Sequence, residues 1–281
     1  MFPSLFDAQA HPVAGMYQLS YGRTIVVIND VCEANERLSS IQANAIIGFD
    51  IEAIPKRPKP ATTSDADDWE SKECCLIQIA YQESLLVLDL KKMKALPEEL
   101  KRIVESAEIV KCTVGAGSDT GRLWADFQLQ CRRFLDLGFM VRIAAPLLYA
   151  EKAGDPNTAN ISLQRCVADI LGFSLDKSGQ SKHDWKHGLP DEKLEPVSYQ
   201  ELLTYAALDA DASLELFQPL KALIALQTEA LQRDLPEYWY CFNFIDGMSV
   251  RLHQSRLGKN IPWKWTICPW YVGGRFDAFW S

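Results

Sequence analysis

Apolar residues run along this chain first in short, nearly continuous strips and later in stripes of helical spacing. TIVVIND (24–30), AIIGFDIEA (45–53), CCLIQIAY (74–81), SLLVLDL (84–90), EIVKCTV (108–114) and FLDLGF (134–139) are short and rich in apolar residues, and each predicts a strand. The third and fourth read as a hairpin. DVCEANERLSSIQ (30–42), PEELKRIVESA (97–107), SDTGRLWADFQL (118–129), GFMVRIAAPLLYA (138–150), SLQRCVADILG (162–172) and the long segment 198–227 predict helices. Pro97 suits a first helical position, and Ser198 with Gln200 and Glu201 offers capping chemistry. Strands come first, helices interleave and then dominate, which predicts an α/β domain with a mixed sheet. IPKRPKPATTSDADDWESK (54–72) is a long connection, basic and proline-rich at its start and acidic towards its end. Past about residue 230 periodicity is lost, and this stretch holds five of the eight tryptophans.

Composition narrows the picture. The 281 residues are 48% hydrophobic and 23% charged, which suits a globular protein with a sizeable core. No apolar run approaches the ~20 residues of a membrane span, and the N-terminus lacks the basic and apolar regions of a secretory signal. The eight cysteines, at 32, 74, 75, 112, 131, 166, 241 and 268, form no C-x-x-C pair. They read as reduced, mostly buried thiols of an intracellular protein. The net charge of −8 argues against a general nucleic-acid binder, unless the acids gather around a cation.

Three places carry candidate chemistry. Asp50 and Glu52 lie two apart on a predicted strand, so both carboxylates share one face among apolar neighbours. Burying such a pair unpaired costs several kcal/mol, and a cation between them removes the cost. Tyr205 and Asp209 are i, i+4 on a predicted helix, amid small alanines that let another group approach closely. Asp211 and Glu215 point elsewhere by the same spacing. The third place is VGAGSDTG, with glycines at 115, 117 and 121, which looks like a dinucleotide loop. Asp136 stands about 20 residues on from that loop, where a ribose-binding carboxylate would belong. Asp119 opposes that reading: a carboxylate on the turn fills the positive helix end that a pyrophosphate would need.

FDIEA, then VGAGSDTGRL-x2-DF, then Y-A-A-x-D-A, in that order, resembles the three motifs of the DEDD superfamily of 3′→5′ exonucleases. The tyrosine four residues before the last aspartate marks the DEDDy branch, that of RNase D and proofreading exonucleases. The second motif, continuing ADFQLQCRRFLDLGFM, looks most like the Werner-syndrome-type exonuclease domain. KSGQSKHDW (177–185) sits where that group has a lysine-rich segment ending in tryptophan. The resemblance covers roughly residues 24–220. It implies a ribonuclease H-like fold, a mixed sheet flanked by helices, with an exonuclease domain over 1–230 and an appendage over 231–281. It also implies two divalent cations, Mg²⁺ or Mn²⁺. Asp50, Glu52 and Asp209 would hold one ion, and Asp50 with Asp119, through water, the other. Tyr205 would orient the attacking water. Phosphodiester bonds would be hydrolysed from a nucleic-acid 3′ end to release nucleoside 5′-monophosphates, with DNA favoured over RNA by the Werner-like wording.

Lys177, Lys182, His183, Lys186 and His187 precede the last helix, where their charges can meet a substrate backbone. Trp185 is a candidate to stack on substrate or to pack. Arg132 and Arg133 read as surface charges at a helix end. The tail reads as a packed appendage or an aromatic platform for bases. The chief rival is a catalytically silent nuclease-fold adaptor that binds nucleic acid or a protein partner, in which the acid set is normally eroded. The second rival is a nucleotide-cofactor oxidoreductase built on VGAGSDTG. Without an export signal the chain is expected inside the cell, with the nucleus favoured over the cytoplasm.

Overall fold

The structure is a computed structural model that describes residues 14–20, 22–54, 72–144, 161–177 and 185–234. Six strands form one mixed sheet in the order β1-β4-β3-β2-β5-β6. They are β1 (Thr24–Ile28), β2 (Ile46–Ala53), β3 (Cys74–Tyr81), β4 (Ser84–Asp89), β5 (Val110–Thr113) and β6 (Phe134–Asp136). β2, β3 and β4 pair antiparallel, whereas β1–β4, β2–β5 and β5–β6 pair parallel. This is the architecture expected of a ribonuclease H-like domain.

The helices are α1 (Val31–Leu38), α2 (Leu90–Met93), α3 (Glu98–Glu105), α4 (Ala116–Phe127), α5 (Leu137–Ala144), α6 (Leu163–Cys166) and α7 (Pro196–Asp234). Several boundaries move from their expected places, each for a local reason. Pro97 caps α3 from extended backbone instead of standing inside it. α4 begins at Ala116, so Gly117 and Gly121 are helical residues, and only Gly115, at φ 85°, makes a turn. Pro196 takes the first position of α7, which places Ser198 inside the first turn. The 162–172 segment starts as α6 with Ser162 as its cap, then widens into a π-type turn over Val167–Leu171. The 54–72 connection, from residue 55 to 71, lies outside the described residues, as do the cysteines and tryptophans of the tail. Among the described residues, no helix is long and apolar enough to cross a membrane.

β2 separates two apolar layers by simple alternation. Ile47 and Phe49 face α1, α3 and α4, and pack with Ile77, Ile79, Leu38, Leu100, Ile103 and Leu123. Gly48, Asp50 and Glu52 face the opposite way, towards α7. There α7 presents Ala206, Ala207 and Ala210 to Leu76, Ala80, Leu85 and Val87. A Cβ on Gly48 would overlap the carbonyl oxygen of Ala210 and stand 3.0 Å from Leu214 Cβ. The bare glycine and the alanine stripe therefore let the α7 backbone lie almost directly on β2.

A candidate carboxylate-cation centre

That close approach builds the site. One carboxylate oxygen each from Asp50, Glu52 and Asp209 lies within 4.8 Å of the others. Asp50 and Glu52 reach the site because they are two apart on β2, and the ladder to β3 shifts register immediately after Glu52. Such a bulge bends a strand end and re-aims its side chains. Asp209 arrives from the fourth turn of α7, beside the Ala210 carbonyl that touches Gly48.

The electrostatics show how unfavourable this arrangement is without a cation. Burial, then the charges of Asp209, Asp119 and Glu52, push Asp50 well above the usual carboxylate range. Glu52 is pushed up to about 8, by burial first and by Asp209 second. Burial raises Asp209 too, and Lys177 opposes it with an ion pair to Oδ2. The other oxygen of Asp209, Oδ1, is buried with no hydrogen-bond partner. A buried carboxylate oxygen left unmatched is costly, so an orphan aimed among two more carboxylates fits a bound cation. All the donors are hard oxygens, which suit Mg²⁺ or Mn²⁺.

Asp119 stands outside that trio. It lies in the first turn of α4, 7% exposed, and accepts from Thr113 Oγ1 at 3.0 Å and Ser118 Oγ at 3.1 Å. Burial raises it to about 7 against the pull of these two hydroxyls, with the charges of Asp136 and Asp209 adding to the rise. Its charge reaches Asp50 and Glu52, so it shares their field while both its oxygens are held by protein.

Tyr205 sits one turn before Asp209 and is 8% exposed. Its ring stacks on Trp185 with centroids 6.4 Å apart, and Lys177 Nζ lies 5.0 Å from the ring centre. Burial, then Glu52, Asp209 and Asp50, raise the phenol far above its ordinary value, so it remains a protonated donor. Trp185 is itself buried, at 4% exposure, and its packing fixes Tyr205. Lys182 and His183 lie outside the described residues. Lys186 and His187 are exposed on the short turn Trp185–His187.

The glycine turn does something other than cradle phosphate. The N–H groups of Gly115 and Ala116, at the start of α4, are both donated to Asp136 Oδ2, at 3.2 and 3.1 Å. The positive helix end is therefore filled by Asp136, not by Asp119 as the sequence suggested. The carboxylate that looked like a ribose ligand blocks the place where the pyrophosphate would sit. Asp211 and Glu215 do point elsewhere. Asp211 is fully buried, accepts from Tyr17 Oη at 2.7 Å and from Ser20 N and Oγ, and pairs with Arg23, which also reaches Glu215. Arg133 is not on a helix end but has left-handed backbone (φ 54°), and its guanidinium donates to Ala107 O. Sequence reasoning missed Gly48, although a glycine two residues before Asp50 on the same face was the available signal. It also missed the ion pair that Lys177 makes with Asp209.

The profile of the 3′-5′ exonuclease family matches residues 25–225. The chain belongs to that family. It is by that membership a 3′-5′ exonuclease domain, and the matched span contains every residue of the site just described. No curated protein sequence matches the chain significantly. Among solved structures, it resembles the Nibbler EXO domain of Aedes aegypti at 19% identity and a TM-score of 0.55, covering 78% of this chain and 98% of that one. The catalytic core of RRP6 from Trypanosoma brucei gives 19% identity and a TM-score of 0.55 over 77% of this chain and 51% of that one. Escherichia coli RNase D, described as an exoribonuclease involved in structured RNA processing, gives 19% and 0.53 over 74% and 46%. The chain thus spans about half the length of the RRP6 catalytic core and of RNase D, and nearly all of the Nibbler domain. At such identities these likenesses speak for the shared fold.

Proposed function

We propose that this exonuclease hydrolyses phosphodiester bonds at the 3′ end of a nucleic acid and releases nucleoside 5′-monophosphates. The observation that carries this reading is the converging trio of Asp50, Glu52 and Asp209, with an orphaned buried oxygen on Asp209. The trio would hold a divalent cation, Mg²⁺ or Mn²⁺. Asp119, with Asp50, would hold a second through water. Bound there, the pair of ions would supply a water of lowered pKa and would stabilise both the attacking and the leaving oxygen.

The protein's own groups have separate tasks. Asp50 is the carboxylate that would contribute to both ions. Tyr205, protonated and pinned by Trp185, donates its O–H to fix the direction of the attacking water, and because it stays protonated it offers no phenolate to act as a base. Lys177 neutralises part of the acidic charge and stands ready to meet a phosphate oxygen. Thr113 and Ser118 hold the Asp119 carboxylate in one rotamer.

RNA is the substrate class that the RNase D likeness supports, whereas the wording of the second motif supports DNA. Digestion of a matched pair of 5′-labelled RNA and 3′-recessed DNA, with Mg²⁺, Mn²⁺ or EDTA, decides both questions. A cation-dependent ladder shortening from the 3′ end, lost in Asp209→Asn, is expected. Tight binding with no cleavage of either strand would favour the adaptor, which the intact acid set opposes.

A further inference from the structure

One fully buried polar side chain in this layer has no role in the chemistry above. Gln78 stands in the middle of CCLIQIAY on β3 and is 0% exposed. Neither its Nε2 nor its Oε1 has a hydrogen-bond partner. Its neighbours along β3 and on the β4 side are apolar, with Leu76 and Ala80 two residues away on the same strand and Val87 opposite on β4. Burying a carboxamide without partners is costly, because its hydration is lost and nothing replaces it. A leucine or methionine there would remove that cost at similar volume.

The register supplies the reason for keeping it. Gln78 lies directly opposite Asp50 in the antiparallel β2–β3 ladder. Directly paired residues put their side chains on one face, with Cβ atoms ~4.5–5.5 Å apart. Across a gap of that size a carboxamide reaches a carboxylate by rotation of its own terminal torsions. Asp50 accepts no hydrogen bond from any other described residue, in contrast to Asp119 with its two hydroxyls. Among the described residues, Asp50 and Gln78 are therefore a half-buried carboxylate that accepts from no protein donor and a buried donor without an acceptor, side by side on the face towards α7.

We propose that Gln78 is a positioning residue for Asp50: its amide donates to the Asp50 carboxylate when a divalent cation occupies the trio, and so fixes which oxygen faces the ion. The proposal rests on the cation site described under the proposed function. A cation draws Asp50 into its ionised form with one oxygen committed to the ion, and the amide then holds the remaining lone pairs. Partners of this kind, one step removed from the ion, change affinity or activity by ~10- to 100-fold when removed.

The test compares wild type, Gln78→Met, Gln78→Asn and Asp209→Asn. Each is measured for Mn²⁺ affinity by titration calorimetry, for melting temperature in EDTA, and for kcat and KM on the better of the two labelled strands. Gln78→Met is expected to melt in EDTA at or above the wild-type temperature, because it removes an orphaned amide. It should bind Mn²⁺ roughly tenfold or more weakly and lose kcat with little change in KM. Gln78→Asn, which keeps an amide one methylene shorter, should recover part of the Mn²⁺ affinity that Gln78→Met loses. Mn²⁺ affinity within twofold of wild type in Gln78→Met would overturn the inference, as would a large loss of melting temperature in EDTA with affinity unchanged in the folded protein. If Asp209→Asn binds Mn²⁺ as well as wild type does, the cation site itself is wrong. If Asp209→Asn loses binding and Gln78→Met does not, the failure belongs to Gln78 alone.

Discussion

Gly48→Ala is the smallest change that separates the fold from the site. It adds one methyl group to β2, two residues before Asp50 and on the same face. That Cβ would overlap the Ala210 carbonyl oxygen and stand 3.0 Å from both the Ala210 carbonyl carbon and Leu214 Cβ. Ordinary carbon contacts begin at about 3.4 Å, so the α7 backbone must retreat by roughly an ångström or more. The obstructing atom is backbone, and no rotamer change can relieve it. Overpacking of this kind typically costs about 1–3 kcal/mol. Asp209 adjoins Ala210 and moves with it, away from Asp50 and Glu52. A misplacement of ~1 Å in a catalytic array costs about 100-fold in rate. The expected result is a folded protein that unfolds ~1–3 kcal/mol more readily in urea, binds Mn²⁺ more weakly and digests a labelled 3′ end at least ~100-fold more slowly. Gly48→Ala with wild-type kcat and Mn²⁺ affinity would refute the view that the β2–α7 approach sets the carboxylate geometry.

Two further outcomes follow from the same layer. Glu52 and Asp119 have folded-state values of about 8 and about 7, above their ordinary ones, so the folded protein binds more protons than the unfolded chain in between. Stability without a cation should therefore fall as pH rises from about 4.5 to about 8, by several kcal/mol in total. Mn²⁺ affinity should strengthen over the same interval, as the cation displaces those protons; melting curves in EDTA and with Mn²⁺ at pH 5, 6, 7 and 8 test both signs. Asp211→Ala should cost about 3–5 kcal/mol in urea unfolding, because it strands the Tyr17 hydroxyl, Ser20 and Arg23, while Mn²⁺ affinity stays at the wild-type level.

The acids themselves were legible in the sequence. A period of two on a strand puts Asp50 beside Glu52, and a period of 3.6 on a helix puts Tyr205 over Asp209, whatever the rest of the chain does. The six strands and their hairpin were legible for the same reason, because each strip is apolar, short and bounded by polar residues. Helix ends were less so. Gly117 read as a turn residue, yet a helix capped at Gly115 and anchored by Asp136 absorbs it. That anchor joins two segments some 20 residues apart, and local propensity carries no record of it.

What local pattern determined, then, was which side chains share a face. What only the tertiary structure decided was which faces meet. Gly48 against Ala210, Gln78 opposite Asp50, and Lys177 on Asp209 all arise from contacts between elements distant along the chain. Their energies come from excluded volume and from desolvated charge, and neither exists until the α7 helix lies on the sheet.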